Sequence, residues 1–275
     1  MQETALIQPT VLYNLLNQFL HNPYISNRNF LLIFDVRSKE DYEESHIFTA
    51  KRLKKSEKGD FILPYENELP CKWNVVVYDG KTKTLEEHIQ GDANIAAKFL
   101  FKCGSRRAVG VLRGGYELFS REYPFIRSRG TMILPRELEK HEPYPLEVIS
   151  QFMYLATRKQ ANNNKMHREL GITAHVNCDL TEDPIYHACE NVEKLSLCRK
   201  DLDDDFVAFL HEACDFLQQR RLEGRRVLIV SRHTINRNVS VAIAYLIKYG
   251  GISLKVSPST PMIVGASEFE LLTAF

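Results

Sequence analysis

Arg225-Arg226-Val227-Leu228-Ile229-Val230-Ser231-Arg232-His233-Thr234-Ile235-Asn236-Arg237-Asn238 is the stretch that decides the fold of the second half of this 275-residue chain. The apolar run Val227 to Val230, bounded by a basic pair and a polar turn, reads as a buried strand. Arg237 then opens a segment, Val239 to Ile247, too long and too apolar for another loop, which predicts a buried helix. Strand, tight loop and helix in this order present backbone N–H groups and a helix N-terminus to an anion. Arg237 stands at the helix entry, where its fork grips two phosphate oxygens at once; the competing reading pairs it with a structural carboxylate.

The first half carries the same alternation. Leu31 to Phe34 reads as a buried strand ending in the polar turn Asp35-Val36-Arg37, and Ser38 precedes a short helical pattern from Lys39 to Glu44. A second strand at Val75–Tyr78, a helical stretch from about Glu86 to Lys102 and a third strand from Ala108 to Leu112 follow, before Gly114-Gly115-Tyr116. Beyond it come Leu146–Ile149 and Tyr154-Leu155, helical segments around Asn162–Leu170 and Asp205–Leu217, and an apolar stretch from Gly171 to Asn177. Strands alternating with helices predict an α/β fold with parallel sheets.

With 44% hydrophobic residues, the chain suffices for two ordinary cores. The apolar periodicity breaks between Arg127 and Pro145, so we expect a first domain at residues 1–127, a linker at 128–142 and a second domain at 143–275. A formal charge of +1 gives no reason to expect nucleic acid or an anionic membrane as partner. No apolar run approaches the roughly 20 residues of a membrane span, and Met1-Gln2-Glu3-Thr4 lacks the basic start of a secretory signal. The amphipathic segment Thr10–Leu20 lacks the arginines of a mitochondrial presequence, which makes a cytoplasmic location the expectation without excluding association with an organelle such as the mitochondrion. The six cysteines form no C-x-x-C pair and most read as reduced core residues, and Asp203-Asp204-Asp205 reads as a helix N-terminus, so neither a metal nor a cofactor is expected.

From Leu210 through Tyr249 these residues resemble the active-site half of a dual-specificity protein phosphatase, whose signature is His-Cys, five residues, then Arg. Aligned without a gap, Val230 stands where the family has His, Ser231 replaces its nucleophilic Cys, and Arg237 matches its phosphate-binding Arg. A thiol with a pKa near roughly 8.5 becomes a thiolate when loop amides and a helix N-terminus lower that value. A serine hydroxyl does not ionise in the same field and needs an adjacent base. His233, the nearest in sequence, lies on a loop whose side chains should point outward. Thr234 takes the place of the family's loop Gly, Asn236 and Asn238 replace its two flanking Ser, and Lys200, beside Asp201, falls where the general-acid Asp belongs. A cation does not donate a proton to a leaving group as a carboxylic acid does. The resemblance therefore implies no catalytic residues, with Ser231, Arg232, His233, Thr234, Ile235, Asn236 and Arg237 as the candidate phosphate-binding loop.

Residues 10 to 127 resemble a rhodanese-like domain in Asp35-Val36-Arg37, Glu40-Asp41-Tyr42, His46-Ile47, Ala50 and the run Leu112 to Phe119. In an active rhodanese the catalytic Cys directly follows the central strand, and that position is Asp79. An Asp there would repel an anionic substrate, so this site also reads as inactive. Silent rhodanese domains of this kind precede the phosphatase domain in MAP kinase phosphatases, where a basic cluster docks the kinase. The matching cations are Lys51, Arg52, Lys54, Lys55 and Lys58, and the competing reading is a solvated basic loop.

The whole pattern resembles the pseudophosphatases of the dual-specificity group, most like the serine/threonine/tyrosine-interacting-like kind with a rhodanese-like N-terminal domain. Such a relationship implies regulation by binding: anchoring or shielding a phosphoprotein, or modulating active phosphatases or MAP kinases. The alternatives are a slow phosphatase using Ser231, a sulfurtransferase using Cys103, and a scaffold that binds no phosphate. The family's last helices are not matched after Leu254; Val256–Pro261 reads as a loop, Glu268–Phe275 as short and apolar, and the chain as an alternative or shortened form.

Overall fold

The computed structural model describes residues 2–19, 22–63, 68–86, 91–129, 135–179, 192–196, 204–232, 237–251, 253–257 and 260–264. The chain forms two compact units, Met1–Pro143 and Tyr144–Phe275.

The first unit opens with strand β1 (Thr4–Ile7) and helix α1 (Pro9–Asn17), then β2 (Leu31–Asp35), α2 (Lys39–Glu44) and the short strands β3 (His46–Ile47), β4 (Lys51–Arg52), β5 (Lys54–Lys55) and β6 (Phe61–Ile62). It continues through β7 (Asn74–Tyr78), α3 (Asp92–Lys102), β8 (Val109–Leu112), α4 (Gly115–Glu122), β9 (Arg127–Ser128) and α5 (Pro135–Glu139). Five strands form a sheet in the order β1-β8-β7-β2-β4, every pair parallel. Leu32, Ile33 and Phe34 are all buried, because both faces of a parallel sheet are covered and a central strand is therefore apolar at every position. Ser38 caps α2, its hydroxyl accepting the Asp41 N–H at 3.0 Å. The sequence reading misses β1, a four-residue edge strand, and places the start of α3 too early. The helix begins after its N-cap Gly91, and the stretch from Lys81 to Glu86 is loop.

The second unit runs β10 (Leu146–Ile149), β11 (Met153–Thr157), α6 (Arg158–Ala161), α7 (Asn164–Leu170), β12 (Ile172–Asn177), β13 (Glu193–Ser196), α8 (Asp204–Leu222), β14 (Arg226–Ser231), α9 (Arg237–Gly250), β15 (Ser253–Ser257) and β16 (Thr260–Val264). Its sheet has the order β10-β11-β14-β12-β13, parallel except for the β10–β11 pair. The decisive stretch thus supplies the central strand, with Val227 to Val230 buried on both faces. Helix α9 buries one face, through Val241, Ala242, Tyr245 and Leu246, while Ile247 is 44% exposed. The expected loop at Val256–Pro261 is corrected: β15 and β16 pair antiparallel, Val256 with Pro261 and Ser257 with Thr260. The alternation of Leu254 and Val256 with Lys255 and Ser257, and the β-branched pair Ile263-Val264 in register with Leu254 and Ser253, support strands more than the two prolines oppose them. Glu268–Phe275 lies outside the described residues.

Candidate functional site

In the first unit, Asp79 directly follows β7, is half-buried, and has its carboxylate hydrogen-bonded by the loop after it and by the start of α3. One carboxylate oxygen accepts the N–H groups of Lys81 at 3.0 Å and Thr82 at 2.8 Å; the other accepts the Thr82 hydroxyl at 2.5 Å and the Ala93 N–H of α3 at 3.3 Å. The backbone is as closely fitted. Tyr116 and Glu117, in the first turn of α4, donate their N–H groups to the carbonyls of Asp79 and Gly80. A Cβ on Gly115, where φ is +56°, would stand 2.4 Å from the Asp79 carbonyl oxygen, so the second glycine of Gly114-Gly115 is required by close approach. Asparagine at position 79 keeps the shape but loses the charge and two lone-pair partners. We expect Asp79→Asn to destabilise this unit by about 1–2 kcal/mol, read in urea through Trp73, the single tryptophan; an unchanged midpoint would show that these contacts contribute nothing.

The other recognised residues of this unit build a frame around the loop. Buried Asp35 takes Arg37 in a bidentate pair, Nη2 to Oδ2 at 2.7 Å, and Arg37 Nη2 also donates to the Ser45 carbonyl at 2.7 Å. The guanidinium lies 3.7 Å from the centroid of the Tyr116 ring. His46 stacks on Tyr42 and bonds its carbonyl, and the Tyr42 hydroxyl donates to the carbonyl of Ala50. A cavity of about 610 Å³ opens beside this frame, lined among others by Arg37, Asp41, Glu44, Glu117, Arg127 and Arg129. Cys103 ends α3, whose eleven residues put roughly 15 Å of helix between it and the Asp79 loop. Sulfur transfer at the Asp79 loop through Cys103 is therefore excluded by distance.

The basic residues lie at the edge of the sheet. Lys51 and Arg52 form β4, the outermost strand beside β2, and Lys54 and Lys55 pair with Ile62 and Phe61. Lys51, Lys54, Lys55 and Lys58 are exposed and Arg52 is half-buried; Lys55 also pairs with Asp92 at 2.8 Å.

In the second unit, Ser231 ends β14 opposite Thr157 of β11 and is 4% exposed. Among the described residues, no imidazole, carboxylate or amine hydrogen-bonds its hydroxyl. Val230 is fully buried, paired with Ala156 and Asn177 on the flanking strands. Arg237 opens α9, half-buried, with its guanidinium carbon 5.8 Å from the Phe206 ring centroid. His233, Thr234, Ile235 and Asn236, like Lys200 and Asp201, lie outside the described residues.

One residue that sequence reasoning passed over enters this site. Asp179, two positions past the end of β12, is 9% exposed; its N–H donates to Asn177 Oδ1 at 3.0 Å, and its Oδ1 accepts the Arg232 N–H at 2.8 Å. Its Oδ2 is buried with no hydrogen-bond partner among the described residues. Burial, followed by the neighbouring Asp179 charge, pushes the Cys178 thiol well above its ordinary value, and Arg237 pulls it the other way. Cys178 is thus an inert core thiol between an acid and a base. The signal for Asp179 was only its place at the C-terminal end of a parallel strand, the edge at which open α/β sheets assemble sites.

Residues 17–122 match the family model described as "Rhodanese-like domain", and residues 153–259 match "Dual specificity phosphatase, catalytic domain". Among curated proteins, the chain is 28% identical over 163 residues to the "Probable rhodanese domain-containing dual specificity protein phosphatase" of Dictyostelium discoideum, covering 57% of this chain and 33% of that protein. It is 24% identical over 223 residues to "Dual specificity protein phosphatase 4" of Homo sapiens, covering 71% of this chain and 56% of that one. The chain therefore spans between a third and just over half the length of these relatives. Among solved structures, human DUSP28 aligns with a TM-score of 0.36 at 21% identity, over 40% of this chain and 74% of that one.

Proposed function

The chain joins a rhodanese-like domain to a dual-specificity phosphatase domain, and we propose that it acts by binding, as a pseudophosphatase that regulates, anchors or competes in phosphorylation signalling. The observation that carries this reading is the buried Ser231 at the position of the nucleophile, with no base hydrogen-bonded to it among the described residues. A serine without a base does not attack a phosphoester at neutral pH. Asp79, held by three N–H groups and a hydroxyl, supports the same reading for the first domain. The boundaries we propose are residues 1–127 and 143–275 around a linker.

The partners proposed by resemblance are phosphoproteins, active protein phosphatases or MAP kinases, the last docking on Lys51, Arg52, Lys54, Lys55 and Lys58, of which Lys55 also pairs with Asp92. A rim charge acts mainly on capture rate and salt dependence. The experiment combines an aryl phosphate assay with co-precipitation of a MAP kinase and an active dual-specificity phosphatase. We expect no hydrolysis above background, identical in the parent and Ser231→Ala, together with capture of a partner. Turnover that disappears with Ser231→Ala would reverse the assignment.

A further inference from the structure

The cavity of about 610 Å³ beside the Asp35–Arg37 frame lies wholly within the first unit. Apart from Tyr116 and Pro124 its lining offers no apolar side chain, whereas sites for apolar ligands are lined mainly by such groups. Charges of both signs line it instead: Asp41 and Glu44 of α2 and Glu117 in the first turn of α4, against Arg37, Arg127 and Arg129. Arg37 is committed to Asp35, the Ser45 carbonyl and the Tyr116 ring, and Asp41 accepts the Ser38 hydroxyl at 2.7 Å. Glu44, Glu117, Arg127 and Arg129 are all exposed, and among the described residues none of the four has an ion pair. The antiparallel register of β3 and β9, with His46 opposite Ser128, sets the chain around Arg127 and Arg129 beside the segment that follows α2. Tyr116 leaves its hydroxyl buried without a hydrogen-bond partner among the described residues, an unused polar capacity of the kind a ligand fills.

We propose that this cavity is a docking site for a short peptide segment of a partner protein, one that carries a basic and an acidic side chain close together. A lone anion such as phosphate meets Glu44 and Glu117 as well as the arginines, and a lone cation meets the converse. Only a ligand with both charges gains from both sets of residues without a loss at the other. The carboxylates accept a guanidinium or an ammonium, and the arginine forks hold a carboxylate. A volume of about 610 Å³ falls in the range of roughly 300–1,000 Å³ that holds ligands of drug size, so several residues of an extended peptide fit. None of the cations of the basic loop from Lys51 to Lys58 is among the lining residues, which makes this a second surface, distinct from the one proposed for a kinase.

The test uses the full chain and fluorescent, capped pentapeptides that pair one arginine with one glutamate at separations of one to three residues, in both orders, on a glycine-serine background, read by anisotropy. At least one of these peptides is expected to bind, while its counterpart with glutamine at both positions is not. Glu117→Gln and Arg129→Gln should each weaken binding by about threefold to fivefold, and added salt should weaken it further. Both residues are exposed, so the variants are expected to keep the parent's thermal midpoint. Lys54→Gln with Lys58→Gln should leave binding unchanged. Failure of every peptide overturns the proposal, as does binding that is unchanged in both cavity variants or lost in the lysine variant. A peptide with two arginines or two glutamates that binds as tightly also overturns it, and so does free arginine or glutamate that competes as well as the peptide. None of these outcomes depends on hydrolysis or on Ser231.

Discussion

Asp35→Asn is expected to lower the stability of the first unit by about 3–5 kcal/mol, the range for breaking a buried ion pair from one side. The Asp35 side chain is wholly buried, and that of its partner Arg37 is 10% exposed. The asparagine leaves a guanidinium that cannot lose its proton facing a neutral amide, with the Ser45 carbonyl and the Tyr116 ring as its remaining support. The loss should propagate to the Asp79 loop, because Tyr116 is also the residue whose N–H holds the Asp79 carbonyl. Urea unfolding followed at Trp73 measures the effect. A double replacement by apolar groups of similar shape, Asp35→Leu with Arg37→Met, should cost less than Asp35→Leu alone, since it removes the orphaned charge along with its partner. A midpoint for Asp35→Asn within 1 kcal/mol of the parent would mean that the Asp-Val-Arg motif is not a structural pair.

The second large effect is on pH. His175 is fully buried on β12 and stacks edge-on against His167 at 4.7 Å between centroids. Burial above all, with the nearby charges of His167 and Lys194 adding to it, lowers its pKa to about 3; burial lowers His167 as well, opposed by its bond to the Ala161 carbonyl. An unfolded chain takes up these protons near roughly pH 6.5 and the folded one does not. The neutral pair therefore contributes its full stability above that pH. As pH falls from about 6.5 toward 3, stability declines by up to about 1.4 kcal/mol per unit for His175 alone. Thermal unfolding followed by circular dichroism between pH 7.5 and 4.5 should show this decline, and His175→Gln should flatten it. Equal slopes in parent and variant would assign the acid sensitivity to other groups.

These two clusters show where sequence reading reaches and where it stops. Asp35, Arg37, Tyr42, His46 and Ala50 are legible as a motif because their spacing is local, yet their partnership is a matter of packing: Arg37 meets Tyr116 across 79 positions of chain. Asp79 was legible as the polar residue that ends a buried strand, but part of the hold on its carboxylate comes from Ala93, supplied by a helix whose start the sequence misplaced. Asp179 was legible only by its place after a strand, since nothing in Asn177-Cys178-Asp179 signals that its carboxylate will meet the N–H of Arg232, 53 positions later. The edge strand β1 and the pair β15–β16 escaped for a related reason: four or five residues carry too little periodicity to outweigh a proline or a chain end.

What the sequence determined by itself is the alternation of buried strands and helices and the two-unit organisation. Each follows from residue identity and near-neighbour spacing, which the linear chain contains in full. What only the tertiary structure decided is which donors meet the carboxylates of Asp79 and Asp179. Asp79 finds its donors in Lys81, Thr82 and Ala93 and Asp179 finds one in the N–H of Arg232, because sheet pairing brings these backbones together and the direction of a side chain at a strand end is set by neighbours distant in sequence.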